Sequence, residues 1–394
     1  MTHSLAHYLH LGLNHTDLPW LQSLHQEACL DFKRLGFPTR HHESWKYTRL
    51  DGFLALESLS LALDSVSVVD VPKGVMVMPL MQACYEHPEK IQPYLAQLLT
   101  HEHGLTAMNT ALWNQGFFVY VPKGVQCTEP LWIRHHINHE QNFSVVRHLV
   151  VAEEGSTLQV IEDFNGDEAF SYATNTVTEV MLKPNAKVLH YRCQHEGMAA
   201  FHFGQTVAYQ QQNSHFESHV LNVGGLWVRT DLTIKMQEPH AKCVLNGIYV
   251  AEGAQHMDHH TEVIHEVSDC ESHQDYKGIA NAHARVVFDG QVKVLRNAQR
   301  TKAHQSNKNL LLSNHAEVDT KPQLNIDADD VICTHGATVG QLDEDALFYL
   351  TTRGITRRDA THCLIQAFLH QNVQQLTHPA LMTWMNEWLQ THLG

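Results

Sequence analysis

Hydrophobic positions divide the chain into three textures. Up to about residue 115 they recur at helical spacing. Leu18–Leu35 reads as a helix, with Trp20, Leu21, Leu24, Ala28 and Phe32 on the repeat and Gly36-Phe-Pro38 as its stop. Glu89–Leu99 repeats Ile91, Tyr94, Leu95 and Leu98 on one face, and Leu105–Trp113 reads as a third helix. The stretch from Leu54 to Val77 is less regular. From residue 116 to 332 the period shortens to that of strands. The runs are Phe117–Val121, Leu131–His135, Ser144–Val151, Leu158–Ile161, Val177–Leu182, Val188–Tyr191, Val244–Val250, Val286–Phe288 and Gln291–Leu295, separated by Gly, Asn, Pro and Asp. Beyond Gly340 helical spacing returns. Asp343–Thr352 is stopped by Arg353-Gly354, Thr356 caps a helix over Ala360–Leu369 with Asp359 in its first turn, and Ala380–Leu393 is a last amphipathic helix.

A weak repeat runs through the middle region. Glu154-Gly-Ser-Thr-Leu-Gln-Val160 resembles segments beginning at Pro184, Pro239 and Gly290, each a turn residue followed by an alternating strand. A spacing of roughly 20–30 residues is that of a solenoid coil, which must stack on its neighbours to bury its inner face. A parallel β-helix and a β-sandwich or jelly roll both satisfy the strands; the repeat favours the β-helix. The expected domains are 1–115 (helical), 116–332 (β-helix core) and 333–394 (a Cys/His motif and a helical end).

Composition narrows the function. Net charge is −15 with no basic cluster, so nucleic acid is an unsuitable partner. The segment Met1–Tyr8 has no basic or apolar leader pattern, and no apolar run is long enough for a bilayer. A cytoplasmic protein is expected. The 8 cysteines are scattered and form no CxxC pair, as in reduced structural thiols. The 33 histidines cluster at His41-His42, His101 with His103, His135-His136 and His256–His260. Lacking HExxH or a CxxC companion, these read as compositional bias rather than ligand sets.

Gly-Lys never occurs, so no GxxxxGK[ST] phosphate loop exists, and neither GxGxxG after a strand nor GxSxG is found. No nucleotide site and no enzyme activity are expected. The sharpest motif is Asp327-Ala-Asp-Asp-Val-Ile-Cys333-Thr-His335-Gly-Ala-Thr-Val-Gly340. On an extended strand Cys333 and His335 share a face, giving half of a tetrahedral site for iron or zinc. Asp327, Asp329 and Asp330 suggest Ca²⁺ in a β-helix carbohydrate-active enzyme, the rival reading. His256, Asp258, His259 and His260 make a weaker third candidate.

Pro322–Val331 and Cys333–Ile355 resemble the signature of the SufB/SufD family. Ala298–Ser313, Tyr276-Lys-Gly278, Glu43-Ser-Trp-Lys-Tyr-Thr48 and Leu105–Trp113 with Val121-Pro-Lys-Gly124 are similar to further family segments. Lack of an N-terminal Cys cluster sets the chain apart from many SufB proteins. The resemblance implies a right-handed parallel β-helix core flanked by N-terminal and C-terminal α-helical domains. It implies a scaffold role in iron–sulfur cluster assembly, with a SufB-like paralogue as heterodimer partner and SufC-like ATPase subunits on the C-terminal helices. Cys333 and His335 become interface residues facing a nascent cluster or iron shared with SufB. The SufC contact falls on Leu347, Phe348, Tyr349 and Leu350 and on the turn Gly354-Ile355. Whether a flavin joins the complex is left open. An uncovered β-helix edge also favours a homodimer of the isolated chain. The bland alternative is a purely structural subunit.

Overall fold

The computed structural model describes residues 16–56, 59–61 and 65–392. The reading of Met1–Tyr8 and the end of the last helix at Leu393 lie outside them.

The N-terminal helices form as the apolar spacing predicts. Helix α1 (Pro19–Leu35) starts with Pro in its first turn, carries Lys33 and Arg34 in its last turn and buries Leu21, Ala28 and Phe32. After the short α2 (Asp51–Leu54) come α3 (Leu80–Glu86) and α4 (Pro88–Ile91). The expected helix to Leu99 stops at Ile91. Pro93 has no N–H for the ladder, and Ala96 is left-handed at φ 58. Turns replace the helix, yet Ile91, Leu95 and Leu98 still point inward. Helix α5 (Gly104–Leu112) is buried at every residue. It is wedged between α1 and the sheets, where Asn109 Nδ2 donates to Val146 O and Asn175 O, each at 3.0 Å.

The rest of the body is a parallel β-solenoid of about eight turns. One nine-stranded sheet stacks β1 (Ser65–Val69), β4 (Leu131–Ile137), β6 (Thr157–Gly166), β8 (Lys187–Gln194), β10 (His215–Asn222), β12 (Lys242–Ala251), β14 (Glu271–Ala280), β16 (Thr301–Leu311) and β18 (Val331–Gln341). The facing nine-stranded sheet stacks β2 (Met76–Pro79), β3 (Phe117–Val121), β5 (Phe143–Ala152), β7 (Ala173–Leu182), β9 (Phe201–Gln210), β11 (Trp227–Met236), β13 (His256–His265), β15 (Arg285–Val294) and β17 (Glu317–Ile326). Side-chain bonds from coil to coil recur at sequence separations of 28 to 31, at the upper end of the repeat seen in the sequence.

Turn chemistry keeps the coils in step. Asn185, Asn213, His240, Asp269 and Arg300 all take positive φ, one at each successive bend. Asn and Asp tolerate that conformation best. At four of these bends, Asn185, Asn213, Asp269 and Arg300, the backbone N–H reaches a carbonyl of the next coil, as from Asn185 to Gln212 at 2.8 Å. Inside, Gly247 and Gly278 leave room for rings: a Cβ at Gly278 would lie 1.8 Å from Tyr249.

The two ends of the solenoid differ. Strands β1 and β2 run antiparallel to β4 and β3 and close the first end. At the other end β17 and β18 are both edge strands. The C-terminal helices α6 (Glu344–Thr352), α7 (Arg357–Gln374) and α8 (Pro379–His392) do not cap this end. Helices α7 and α8 lie along the outer face of the β4–β18 sheet, packing Ile365, Leu369, Leu381 and Met385 on Ile161, Tyr191, Ile248 and Ile279. Lys277 Nζ donates to Phe368 O at 2.7 Å and Asn372 Nδ2 to Asp275 O at 3.0 Å, fixing the helices across the coils.

Candidate functional site

Cys333 and His335 lie on β18, separated by one residue, so they share a face with Cα atoms about 7 Å apart. The register shows which face. Phe216, Cys243, Ser272, Ala303 and Cys333 stand in one row, one residue per coil. Ser218, Leu245, Gln274, Gln305 and His335 form the next row. The earlier members of both rows are buried in the solenoid interior. Cys333 is half-buried and His335 exposed because no coil covers them. Their accessibility is a property of the open end rather than of an outward orientation.

The two residues meet different surroundings. Cys333 packs with Val292, Ala303, Ala328, Leu324 and Val331. Burial pushes its thiol up, and a hydrogen bond from the Ala303 backbone offsets part of that effect. A metal ion must therefore displace the proton for the sulfur to bind as thiolate. His335 borders a polar half of the interior. There Asn307 Nδ2 donates to Tyr249 Oη at 2.8 Å and Thr320 Oγ1 to Asn307 Oδ1 at 2.8 Å.

The last coil also exposes apolar side chains that the sequence reading missed. Val339 of β18 and Ile326 of β17 end interior rows and are 45% and 38% exposed, and Ile332, on the outer face, is 67% exposed. Their signal was a strand pattern running on to Gln341 without a covering segment. Apolar surface joined to two unpaired strand edges is the anatomy of an interface.

Helix α6 follows β18 after the link Leu342-Asp343. The Asp343 carboxylate accepts from the Asp345 and Ala346 N–H groups and caps it. Gly354, at φ 86, breaks the chain away, and Thr356 Oγ1 accepts from Asp359 N to start α7, as the sequence predicts. Leu347 is buried. Phe348 and Tyr349 are 70% and 57% exposed, Leu350 and Ile355 are half-buried, and Gly354 is exposed. Two adjacent large rings thus stand in solvent on a capped helix.

The other candidates dissolve into structural roles. Asp327, Asp329 and Asp330 lie on the exposed turn between β17 and β18, not in a groove along a strand face. Asp258 accepts from Thr48 Oγ1 and Arg229 and lies 2.9 Å from His260 Nε2, while His259 points inward and stacks on Tyr249 at 4.5 Å. His135 and His148 approach at 3.2 Å through their Nε2 atoms. The Phe117 N–H donates to His148 Nδ1, so the proton of His148 sits on Nε2 and points at His135. That is a hydrogen bond between neutral rings, not a pair of free metal ligands. Among the described residues, no three His, Cys, Asp or Glu side chains converge as a metal site.

Buried ion pairs, likewise absent from the sequence reading, hold the N-terminal region and the coils together. Arg147 meets Glu179 at 2.6 Å with both side chains fully buried, and Arg192 meets Glu162 at 2.8 Å. Burial alone would raise the Glu162 carboxyl, but His190 and Arg192 hold it well below the usual range. An Arg inside an apolar alternation, as in Val145-Val146-Arg147-His148-Leu149, is the sequence signal for such a pair. A cleft of about 680 Å³ lies between residues 42–44, residues 98–103 and the outer face of the β2–β17 sheet, away from Cys333. Two of its lysines are paired across it, Lys293 with Glu262 at 2.5 Å and Lys321 with Glu43 at 2.7 Å.

Residues 60–133 match the SufBD protein N-terminal region, and residues 135–368 match the SufBD core domain of SUF system FeS cluster assembly. The chain is 31% identical to the iron-sulfur cluster assembly protein SufD of Escherichia coli, over 90% of this chain and 89% of that protein. It is 27% identical to an iron-sulfur cluster assembly SufBD family protein of Synechocystis, over 87% and 84% of the two chains. It is 36% identical to the chloroplastic protein ABCI7 of Arabidopsis thaliana, over 64% of this chain and 54% of that protein. The chain belongs to the SufB/SufD family of the SUF iron–sulfur cluster assembly system and is SufD-like.

Proposed function

We propose that this chain is a cytoplasmic, non-catalytic scaffold subunit whose open solenoid end pairs with a SufB-like paralogue, while α6 docks a SufC-like ATPase. The observation that carries the proposal is the termination of two buried interior rows at Cys333 and His335 on an uncovered coil. A paralogous solenoid stacked on that end would cover Val339 and Ile326, pair the edge strands and bring its own side chains over the thiol and the imidazole. One sulfur and one ring nitrogen fit half of a tetrahedral iron site, the partner supplying the rest. Iron and sulfide are then cargo at the joint, built into a nascent cluster.

The domains divide the work. Residues 1–115 brace the solenoid and supply its first two strands, 116–332 form most of the coil stack, and 333–394 complete the last coil with the motif and carry the ATPase contact. No phosphate loop occurs in the sequence, so ATP-driven motion would come from the partner ATPase. A pull on Phe348 and Tyr349 would reach the last coil through the short link from Gln341 to Asp343. The resulting shift would open the joint to iron and sulfide.

A purely structural reading has its own support. The apolar packing of Cys333 and its raised thiol suit a side chain that only seals the end. Anaerobic reconstitution of the assembled complex decides between them. With His335→Ala or Cys333→Ser, the ligand reading expects lowered iron and sulfide content in an intact complex; unchanged content leaves only the structural role.

A further inference from the structure

One amide in the interior has no counterpart among its neighbours. Gln305 is fully buried, and neither its Nε2 nor its Oε1 meets a hydrogen-bond partner among the described residues. The surrounding amides are all engaged on at least one side. Gln274 Oε1 accepts from Thr261 Oγ1 at 2.8 Å, Asn309 Nδ2 donates to Asn307 Oδ1 at 2.6 Å, and Asn307 is bonded to Tyr249. Gln305 is also the residue directly beneath His335 in the register of β16 on β18, in the row that runs through Ser218, Leu245 and Gln274.

Space has been made for this amide. A Cβ added to Gly290 would fall 2.0 Å from Gln305 Nε2 and 3.0 Å from its Cδ. Gly290 has no positive φ to explain it; the missing side chain leaves room for the Gln305 carboxamide, the nearest group, and for the Phe288 ring at 2.8 Å. A buried amide with both functions idle is costly. It becomes favourable when a group that can both give and take a hydrogen bond lies within reach, and the imidazole one coil above is such a group.

We propose that Gln305 is a positioning residue for His335: once a partner coil closes the open end, its carboxamide bonds one ring nitrogen of His335 and leaves the other bare toward the partner. This rests on the reading of His335 as an interface ligand. Ligating imidazoles are held by a bond to the far ring nitrogen, which fixes tautomer and orientation. Gln305 supplies that bond from inside the coil stack, where no water competes with it.

The test is the imidazole nitrogen spectrum of His335 in the full chain assembled with its SufB-like partner, assigned by loss of the signal in His335→Asn. The wild-type complex should show one tautomer. Gln305→Met, of similar length and apolar, should give a mixture of both and weaken iron(II) binding by about 10- to 100-fold. Gly290→Ala pushes the amide aside from the opposite wall and should give the same mixture, so a folding failure of one variant does not remove the test. A single, wild-type tautomer in either folded variant overturns the proposal, even if iron binding falls. If His335→Asn leaves iron and sulfide content unchanged, the ligand reading fails by itself, and the spectra still report on Gln305.

Discussion

The guanidinium of Arg229 lies 3.8 Å from the centre of the Trp45 ring, and Trp45 stacks in turn on Trp227. Arg229 is bonded beyond the ring to Asp231 and Asp258, and it donates to the Ser44 carbonyl. The segment Glu43–Thr48 is thereby pinned across the coils.

Trp45→Ala should destabilise the chain by about 3–5 kcal/mol, the range for a fully buried Trp. The indole both fills space and covers a buried charge network. The fall in denaturant midpoint measures it; a change under about 1 kcal/mol would mean that the segment is not fastened there.

The open end should respond in the opposite way. Val339→Lys and Ile326→Lys place a charge where the isolated chain already meets solvent, so thermal stability should stay within about 0.5 kcal/mol of wild type. Pairing with a SufB-like partner should weaken by more than about tenfold, since a Lys would be desolvated at the joint. Sedimentation of the mixed chains checks both. Loss of stability without loss of pairing would place the interface elsewhere.

Phe348→Ala and Tyr349→Ala should leave the fold intact, both rings being largely exposed. Binding of a SufC-like ATPase, measured by co-purification or calorimetry, should be lost. Retained binding would show that α6 is not its dock.

Acid should loosen the solenoid well before carboxylates titrate. Burial pushes the imidazoles of His148, His259 and His265 down to about 4. In the unfolded chain they titrate near about 6.5. Between those values the unfolded state binds more protons, so stability is full above about pH 6.5 and falls as pH drops toward about 4. Each imidazole can contribute at most about 3 kcal/mol to that fall. Urea midpoints at pH 7.5, 6 and 5 should decline in order; a flat series contradicts the burial of neutral rings.

The sequence exposed the solenoid where its interior is apolar. Phe117–Val121 and Val244–Val250 are rich in apolar, β-branched and aromatic residues and read as strands. By contrast β14 points Ser272, Gln274, Tyr276 and Gly278 inward, and β16 points in Gln305, Asn307 and Asn309. A polar core erases the alternation on which strand reading depends, so neither strand was seen. Strands β1 and β2 were hidden in a stretch read as irregular, because their pairing is with β4 and β3, far along the chain. The Cys333–His335 face was legible from period two alone. That it ends an interior row was not, since only the register shows which face is inside. Pairs such as Arg147 with Glu179 depend on that same register.

The account stands or falls on whether the last coil is covered in the working complex. Hydrogen exchange of the chain, alone at a concentration where it is monomeric and then assembled with its partners, reads this directly. Amides of Glu317–Ile326 and Val331–Gln341 should exchange markedly more slowly in the complex, while those of β1 and β2 keep their rates. Equal exchange of the last coil in both states would show that nothing stacks on Cys333 and His335.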